Sequence, residues 1–167
     1  LDLSKLESGQ FVLARNELIF QDLVPHLIDT FLPEAEQAGV ILDYQVDPDL
    51  PAMMFDEEKL FRVLSNLLDN ALKFTPAGGK VTLEMAQTDG QLFIDVRDTG
   101  PGVPMDFRDQ IFDLYAQVPG TEGRRRGTGL GLAFCKLAIE AHQGEIWVED
   151  NPGGGSRFRI RLPISAE

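Results

Sequence analysis

The sequence predicts an α+β fold, a two-layer α/β sandwich in which a mixed sheet of about five strands packs on three long helices. Three segments repeat apolar residues with a helical period, whereas several shorter segments alternate apolar and polar residues as strands do. Two of the strand-like segments flank Asp89-Gly90, a dipeptide typical of tight antiparallel turns. Helices and strands therefore share one chain, which favours a sheet covered by helices.

Each predicted element has a recognisable beginning or end. The helices are predicted over 22–38, 56–74 and 130–141. Gly39 is typical of the residue that follows a helix, and Asp56 is a favourable N-cap. The strands are predicted over 11–19, 40–46, 80–87, 91–97, 144–150 and 156–162. We interpret the glycine-rich run 151–155, between the last two strands, as a plain hairpin turn.

Length and composition indicate one globular domain. The chain has 167 residues, of which 43% are hydrophobic and 25% charged, and its net charge is −12. This negative charge argues against nucleic acid or an anionic membrane as the principal partner. No apolar run is long enough to span a membrane. The single cysteine, Cys135, lies in an apolar helical pattern, so we interpret it as a core residue in a reducing, cytoplasmic compartment.

Two glycine-rich stretches, 98–103 and 127–132, carry most of the functional information. The first places a carboxylate, Asp98, at the end of a predicted strand and follows it with glycines that let the backbone approach a ligand. The second runs directly into a helix, so its amide groups lie at a helix N-terminus, where phosphate binds well. Together they predict a nucleotide held by its base at one stretch and by its phosphates at the other.

The helix predicted over 56–74 has a polar stripe beside its apolar one. At about 100° per residue, Asn66, Asn70 and Lys73 lie on the same side of this helix. A polar stripe usually faces solvent, but asparagine is a mediocre helix former. An amide oxygen is a good ligand for Mg²⁺ that is shared with phosphates, and a lysine suits a phosphate oxygen. The stripe is therefore either a solvated face or, together with the glycine stretches, the metal side of the nucleotide site.

Four segments resemble, in order, the motifs of the catalytic ATP-binding domain of bacterial-type sensor histidine kinases, in the GHKL (Bergerat-fold) ATPase superfamily. Residues 64–75 resemble the N box, 98–102 the G1 box, 111–115 the F box and 127–131 the G2 box of that family. The resemblance covers nearly all of residues 1–164. It implies the Bergerat fold and a protein histidine kinase that uses ATP and Mg²⁺.

The resemblance implies a role for each motif residue. Asn70 would coordinate Mg²⁺, with Asn66 and Lys73 near the phosphates. Asp98 would accept a hydrogen bond from the adenine amino group, which distinguishes adenine from guanine. The remaining implied contacts are Gly100 and Gly102 beside the base, and Gly127, Thr128, Gly129, Leu130 and Gly131 beside the phosphates.

Residues 104–126, between the two glycine stretches, are predicted to form a mobile lid. The resemblance implies that Phe112 and Tyr115 anchor this lid. It also contains three successive arginines, which are either a solvated cluster or phosphate ligands, and we expect phosphate contact by at least one of them. These arginines are Arg124, Arg125 and Arg126.

The resemblance also implies domain boundaries and partners. Residues 1–9 would be the end of the preceding dimerisation-domain helix, 10–164 the catalytic ATP-binding domain and 165–167 a tail. The family phosphorylates a histidine on the dimerisation domain. Neither His26 nor His142 has the sequence context of that acceptor, so both are expected to be structural. The implied partners are the dimerisation domain of the same parent protein and the receiver domain of a response regulator.

Two other functions compete with the kinase interpretation. ATP-hydrolysing members of the superfamily place a glutamate four residues before the metal asparagine, whereas this chain has Asn66 there, which cannot act as a base. The second alternative is a module that binds a nucleotide or a partner without transferring phosphate. The presence together of Asn70, Lys73 and Asp98 disfavours it.

Overall fold

The computed structural model describes residues 12–113, 116 and 130–164. Within these residues the helices are α1 (Phe20–Ala38), α2 (Glu57–Phe74) and α3 (Gly131–Ala141). The strands are β1 (Asn16–Leu18), β2 (Ile41–Val46), β3 (Met53–Phe55), β4 (Lys80–Thr88), β5 (Gln91–Asp98), β6 (Glu145–Asp150) and β7 (Ser156–Pro163). Two short 3₁₀ turns, Met105–Phe107 and Gln110–Phe112, follow β5.

Two predicted segments, the dimerisation-helix end at 1–9 and the tail at 165–167, lie outside the described residues. The other predicted helices and strands occur in the predicted order, with ends that shift by a few residues. Among the described residues, no helix has the length and apolar character needed to cross a membrane.

Five strands form the main sheet, in the order β2-β4-β5-β7-β6. β2 and β4 are parallel, and every other neighbouring pair in this sheet is antiparallel, so the predicted mixed sheet is confirmed. β4 and β5 form the predicted hairpin, in which Asp89 and Gly90 both have positive φ. This order places β5, which ends at Asp98, in the centre of the sheet between β4 and β7.

A separate two-stranded sheet pairs β1 with β3, and the sequence patterns do not reveal β3. This strand has only three residues, which is too short for an alternating pattern to be recognised. β1 also has three residues, far fewer than the strand predicted over 11–19. Leu18 and Phe55 are almost fully buried, so side-chain packing stabilises this small sheet more than its few backbone hydrogen bonds do.

The core lies between the helices and the inner face of the main sheet. On β7 every second residue is buried, namely Ser156, Phe158, Ile160 and Leu162. Each large apolar side chain that is fully buried contributes about 1.5–3 kcal/mol. The outer face carries charge instead, and there the Asp95 carboxylate accepts a hydrogen bond from Arg159 at 2.8 Å. This alternation fixes the strand register, because a slip of one residue would bury the charged groups.

α2 begins at a cap that the sequence predicts correctly. Asp56 Oδ1 accepts the amide of Lys59 at 3.1 Å, and the Lys59 ammonium lies 3.1 Å from Oδ2. Burial by itself would raise the pKa of Asp56, but hydrogen bonds from the Ala14 and Lys59 amides, and the Lys59 charge, outweigh it and lower that pKa. The residues that α2 buries are Leu60, Val63, Leu64, Leu67, Leu68, Ala71 and Leu72.

His142 connects the end of α3 to the start of α2. Its Nδ1 donates to the carbonyl of Ala138 at 2.7 Å, and its Nε2 accepts the amide of Asp56 at 3.1 Å. The ring packs edge-on against Phe55, with 5.6 Å between centroids. Burial lowers the pKa of His142, so the buried ring is neutral, as these two hydrogen bonds require. His142 therefore has the structural role predicted for it.

The buried, neutral His142 predicts that stability depends on pH. In the unfolded chain the ring titrates at its ordinary pKa of 6.5, whereas the folded pKa is lower. Below that pH the unfolded state takes up the proton first, so the free energy of unfolding falls as the pH falls through the folded pKa. His142→Ala should remove this contribution and cost about 2–4 kcal/mol at neutral pH, because it leaves a cavity and an unpaired Asp56 amide.

Thermal unfolding between about pH 5 and pH 8 measures this effect. His26→Ala is the matched control, since His26 lies exposed on α1. The control should keep the pH dependence of the wild type. A wild-type pH dependence in His142→Ala would contradict the assignment.

Candidate functional site

α2 lies between the two predicted ends of the nucleotide site and contacts both. The side-chain amide of Asn66 donates to the carbonyl of Gly131, the first residue of α3, at 3.2 Å. At the end of α2, a Cβ on Gly100 would come within 3.0 Å of the Phe74 carbonyl oxygen. The rise from Asn66 to Phe74 is about 12 Å along the helix axis. The polar stripe of α2 therefore runs from the start of α3 to the end of β5.

Asp98 supplies a buried carboxylate at the end of β5. It is 5% exposed, and its Oδ1 accepts the amides of Gly100 at 2.9 Å and Ser156 at 3.1 Å. No described residue donates a hydrogen bond to Oδ2, so this oxygen is available to a ligand. Burial raises the pKa of Asp98, and the two amide hydrogen bonds oppose that increase. A donor that reached Oδ2 would form a charge-assisted hydrogen bond in a poorly solvated place.

The turn between β6 and β7 packs against Asp98. The side-chain amide of Asn151 donates to the Asp98 backbone carbonyl at 2.8 Å. Gly155 has a φ of 103°, and any Cβ there would overlap the Asp98 carbonyl oxygen. A Cβ on Gly102, whose φ is 80°, would meet the Gly155 carbonyl oxygen at 3.4 Å. The run 151–155 is a hairpin turn as predicted, but it also supports Asp98, a contact that no local sequence pattern indicates.

Asn70 and Lys73 complete the polar stripe. Asn70 is half-buried, and its side-chain amide has no hydrogen-bond partner among the described residues. The Lys73 ammonium lies 3.0 Å from Asp69 Oδ2, one helical turn back. An i,i+4 ion pair of this kind contributes only about 0.3–0.5 kcal/mol, so a phosphate could displace the carboxylate. The structure thus brings Asn66, Asn70 and Lys73 to one face and pairs Lys73 with Asp69, a contact that their i,i+4 spacing in the sequence could have indicated.

Close packing against α2 fixes the start of α3. The Cys135 thiol donates to the carbonyl of Val63 at 3.5 Å, and burial raises the pKa of Cys135 to about 12. Cys135 is therefore an inert core residue, as predicted. The Arg62 guanidinium lies 4.9 Å from the centroid of the Phe134 ring. The N-cap position is Leu130, whose side chain cannot accept a hydrogen bond from the first-turn amides.

Several predicted positions lie outside the described residues, namely Tyr115, Arg124, Arg125, Arg126, Gly127, Thr128 and Gly129. The first part of the predicted lid, 104–113, is described and packs against the domain. Arg108 forms an ion pair with Asp150 at the end of β6. Phe112 is buried and packs edge-on against Phe158, with 6.2 Å between centroids. This stretch is thus anchored to the sheet instead of standing free, because its aromatic and charged side chains find partners on β6 and β7.

A family model described as "Histidine kinase-, DNA gyrase B-, and HSP90-like ATPase" matches residues 55–166. The chain belongs to this ATPase family. The matched residues include α2, Asp98 and the start of α3, so they contain the polar stripe and both of its ends.

Relatives of this chain are named as sensory or sensor histidine kinases. The chain is 35% identical over 165 residues to the adaptive-response sensory kinase SasA of Microcystis aeruginosa, covering 98% of this chain and 43% of that protein. It is 38% identical over 169 residues to the sensor histidine kinase TmoS of Ectopseudomonas mendocina, covering 99% of this chain and 17% of that protein. The chain spans less than half the length of these relatives.

Solved structures share the fold. Full-length ShkA, in complex with AMPPNP, matches with a TM-score of 0.86 and 30% identity, covering 98% of this chain and 34% of that one. The mycobacterial sensor histidine kinase MprB matches with a TM-score of 0.77 and 26% identity, covering 90% and 98% of the two chains. The predicted two-layer fold and the resemblance to the catalytic domain of sensor histidine kinases are confirmed.

Asp98→Asn should separate ligand binding from stability. Asn keeps an Oδ1 that accepts the Gly100 and Ser156 amides, while it removes a charge whose burial is unfavourable at neutral pH. The melting temperature should therefore stay the same or rise. Asn also presents an N–H where Oδ2 stood, which repels an amino donor, so affinity for ATP should fall by well over tenfold. Calorimetric titration and thermal unfolding measure the two effects.

Asp95→Asn is the matched control, since Asp95 is an equally buried carboxylate paired with arginines on the outer face of the sheet. It should lose stability and keep its affinity for ATP. If Asp98→Asn were less stable than the wild type and bound ATP normally, the assignment of Asp98 to the base site would be wrong.

The contact between Gly155 and Asp98 predicts that alanine substitutions at two positions of the same turn lower the free energy of unfolding by different amounts. Gly155→Ala should cost more than about 3 kcal/mol, because the new methyl group meets backbone as well as adopting a strained φ. Gly153→Ala also has a positive φ, 93°, but its Cβ would meet nothing within 4 Å. That control should cost only about 1–2 kcal/mol. Urea unfolding compares the two, and equal costs would show that the turn does not press on Asp98.

Proposed function

We propose that this chain is the catalytic domain, over residues 10–164, of a two-component sensor histidine kinase that binds ATP and Mg²⁺. It would transfer the γ-phosphoryl group of ATP to a histidine on a dimerisation domain of the same parent protein. The observation that carries this proposal is the placement of a buried carboxylate and a helix start at opposite ends of one polar helix stripe. The names of the relatives support the same reaction.

The base end suits adenine. Adenine carries an exocyclic amino donor where guanine carries a carbonyl, so an ionised acceptor at Asp98 Oδ2 favours the first and repels the second. Gly100 and Gly102 have no side chain to obstruct a planar base beside this carboxylate. That ShkA was solved with the ATP analogue AMPPNP supports the same type of ligand here.

The middle of the stripe suits a metal ion shared with phosphates. Asn70 would hold Mg²⁺ through its side-chain oxygen, which is not engaged by any described residue. When bound, Mg²⁺ neutralises charge on the phosphates. Lys73 would release Asp69 and bind a phosphate oxygen. Asn66, Leu130 and Gly131 would lie near the phosphates at the end of the stripe next to α3. Lys73 and bound Mg²⁺ would supply positive charge at the site, within a chain whose net charge of −12 by itself repels a polyphosphate.

Phosphoryl transfer is favoured over hydrolysis because the position for a water-activating acid holds Asn66. Its amide is already engaged with the Gly131 carbonyl and has no basic atom to accept a proton from water. Transfer needs from this domain only correct positioning and charge neutralisation. The presence together of Asn70, Lys73 and Asp98 disfavours a module that binds nucleotide without transferring phosphate.

The proposal includes partners and a location. The phosphoryl acceptor would be supplied by the dimerisation domain, whose last helix would end at 1–9, and the receiver domain of a response regulator would act after it. Both transfers would take place in the cytoplasm. His26 would not be phosphorylated, because it lacks the sequence context of the acceptor. His142 would not be phosphorylated either, because it is buried between α2 and α3.

Incubation of the chain with γ-labelled ATP, Mg²⁺ and the separately produced dimerisation domain of its parent protein tests the proposal. Label should appear on the dimerisation domain at a rate that rises with its concentration, because the two pieces are not tethered. Asn70→Ala should reduce this rate by more than about 100-fold, since it removes a metal ligand worth several kcal/mol. Asn16→Ala, on β1, is the control and should transfer at the wild-type rate.

Three results would contradict the proposal. They are stable label on His26 or His142 of the isolated chain, rapid release of phosphate without the dimerisation domain, and full transfer by Asn70→Ala. The second would instead support an ATPase, which is the alternative within the same family.

A further inference from the structure

We infer that Asn151 is a positioning residue that holds Asp98 in place for recognition of the adenine amino group. The inference rests on the proposed function, because it concerns how Asp98 is held to read the base. It assigns a role in nucleotide selectivity to the turn between β6 and β7, far from the predicted motifs in the sequence.

The side chain of Asn151 bridges the turn and the end of β5. Its Nδ2 donates to the Asp98 carbonyl at 2.8 Å and to the Gly154 carbonyl at 3.3 Å. Its Oδ1 accepts Arg97 Nη1 at 3.4 Å. Its backbone amide donates to the Gly155 carbonyl at 3.0 Å, which closes the turn. One residue therefore joins the backbone on both sides of the contact with Asp98.

The same turn also holds the Asp98 side chain. The Ser156 amide, at the far end of the turn, donates to Oδ1 at 3.1 Å. The Asn151 side chain donates a hydrogen bond to the main chain of Asp98, and the Ser156 amide donates one to the Asp98 carboxylate. The turn therefore fixes Asp98 at two points. Gly155 lies between them without a side chain, since a Cβ there would overlap the Asp98 carbonyl oxygen.

This two-point attachment matters because a carboxylate can rotate. While the Gly100 and Ser156 amides both engage Oδ1, the other oxygen remains at a fixed position for a ligand. Without the Asn151 side-chain amide, the turn would lose this hydrogen bond to β5, and only the pairing of β7 with its neighbouring strands would hold the Ser156 amide beside Oδ1. A site that recognises a single amino group depends on an acceptor oxygen that stays within a fraction of an ångström of its correct position.

A pair of ligands isolates this effect from a general loss of structure. ATP carries the 6-amino group, and purine ribonucleoside triphosphate is the same molecule without it. Asn151→Ala should weaken binding of Mg-ATP by about tenfold, as is typical for loss of a residue that orients a binding group. Binding of the purine analogue, which makes no hydrogen bond to Asp98, should change by less than about twofold. Asp89→Ala, in the turn between β4 and β5, is the control and should bind both ligands as the wild type does.

A second variant covers the case in which Asn151→Ala does not fold. Asn151→Asp keeps the size of the side chain and the oxygen that accepts from Arg97, but replaces the amide that donates to Asp98. It should show the same selective loss for ATP. Unfolding of both variants would overturn the inference, because Asn151 would then support the whole domain instead of the base site.

Amide hydrogen exchange without nucleotide distinguishes this inference from the proposed function. In Asn151→Ala the Ser156 and Gly100 amides should exchange at least about tenfold faster, while amides in the middle of β5 keep their rates. If the wild type bound no nucleotide but this pattern held, the proposed function would fail and the positioning of Asp98 would stand. Unchanged exchange at both amides, or equal loss of affinity for the two ligands, would overturn the inference.

Discussion

The site depends on the rigid placement of α2. Its apolar face is buried along the whole length of the helix, so the helix cannot rotate without exposing leucines to water. That constraint fixes the direction of the polar stripe on the other side. Asn66 then meets the start of α3, and the last turn of α2 meets Gly100. The distance between the two ends of the site is thus set by helix geometry, which is far stiffer than a loop.

At the base end of the site, Asp98 keeps a carboxylate in a buried place where its charge is unfavourable. A buried carboxylate costs stability, which the raised pKa of Asp98 reflects. Hydrogen bonds from the Gly100 and Ser156 amides offset part of that cost. They require the turn between β6 and β7 to lie close to Asp98, and this close approach requires glycine at position 155. Stability and binding therefore make opposite demands on Asp98. This conflict is characteristic of functional sites, where a less stable arrangement is kept for what it binds.

Local patterns in the sequence sufficed to predict all the helices, the strands of the main sheet and the polar stripe on α2. The hairpin at Asp89-Gly90 and the cap at Asp56 each depend on neighbouring residues, and both were predicted correctly. What could not be predicted are contacts between distant residues, such as Asn151 with Asp98 or His142 with Asp56. No periodicity records these pairs, since each depends on how strands and helices pack. β3 was missed because three residues are too few to show a pattern.

The central claim is that α2 presents one continuous nucleotide site with its metal ligand in the middle. Titration of the ¹⁵N-labelled domain with Mn²⁺ and ATP tests it, because Mn²⁺ can replace Mg²⁺ and broadens the signals of nearby nuclei. We expect the strongest broadening at the Asn70 side-chain amide, with weaker broadening at Gly131 and Gly100 on either side, and none of it without ATP. Broadening centred on the arginine-rich outer face of the sheet, or the same broadening by Mn²⁺ alone, would contradict a nucleotide site on α2.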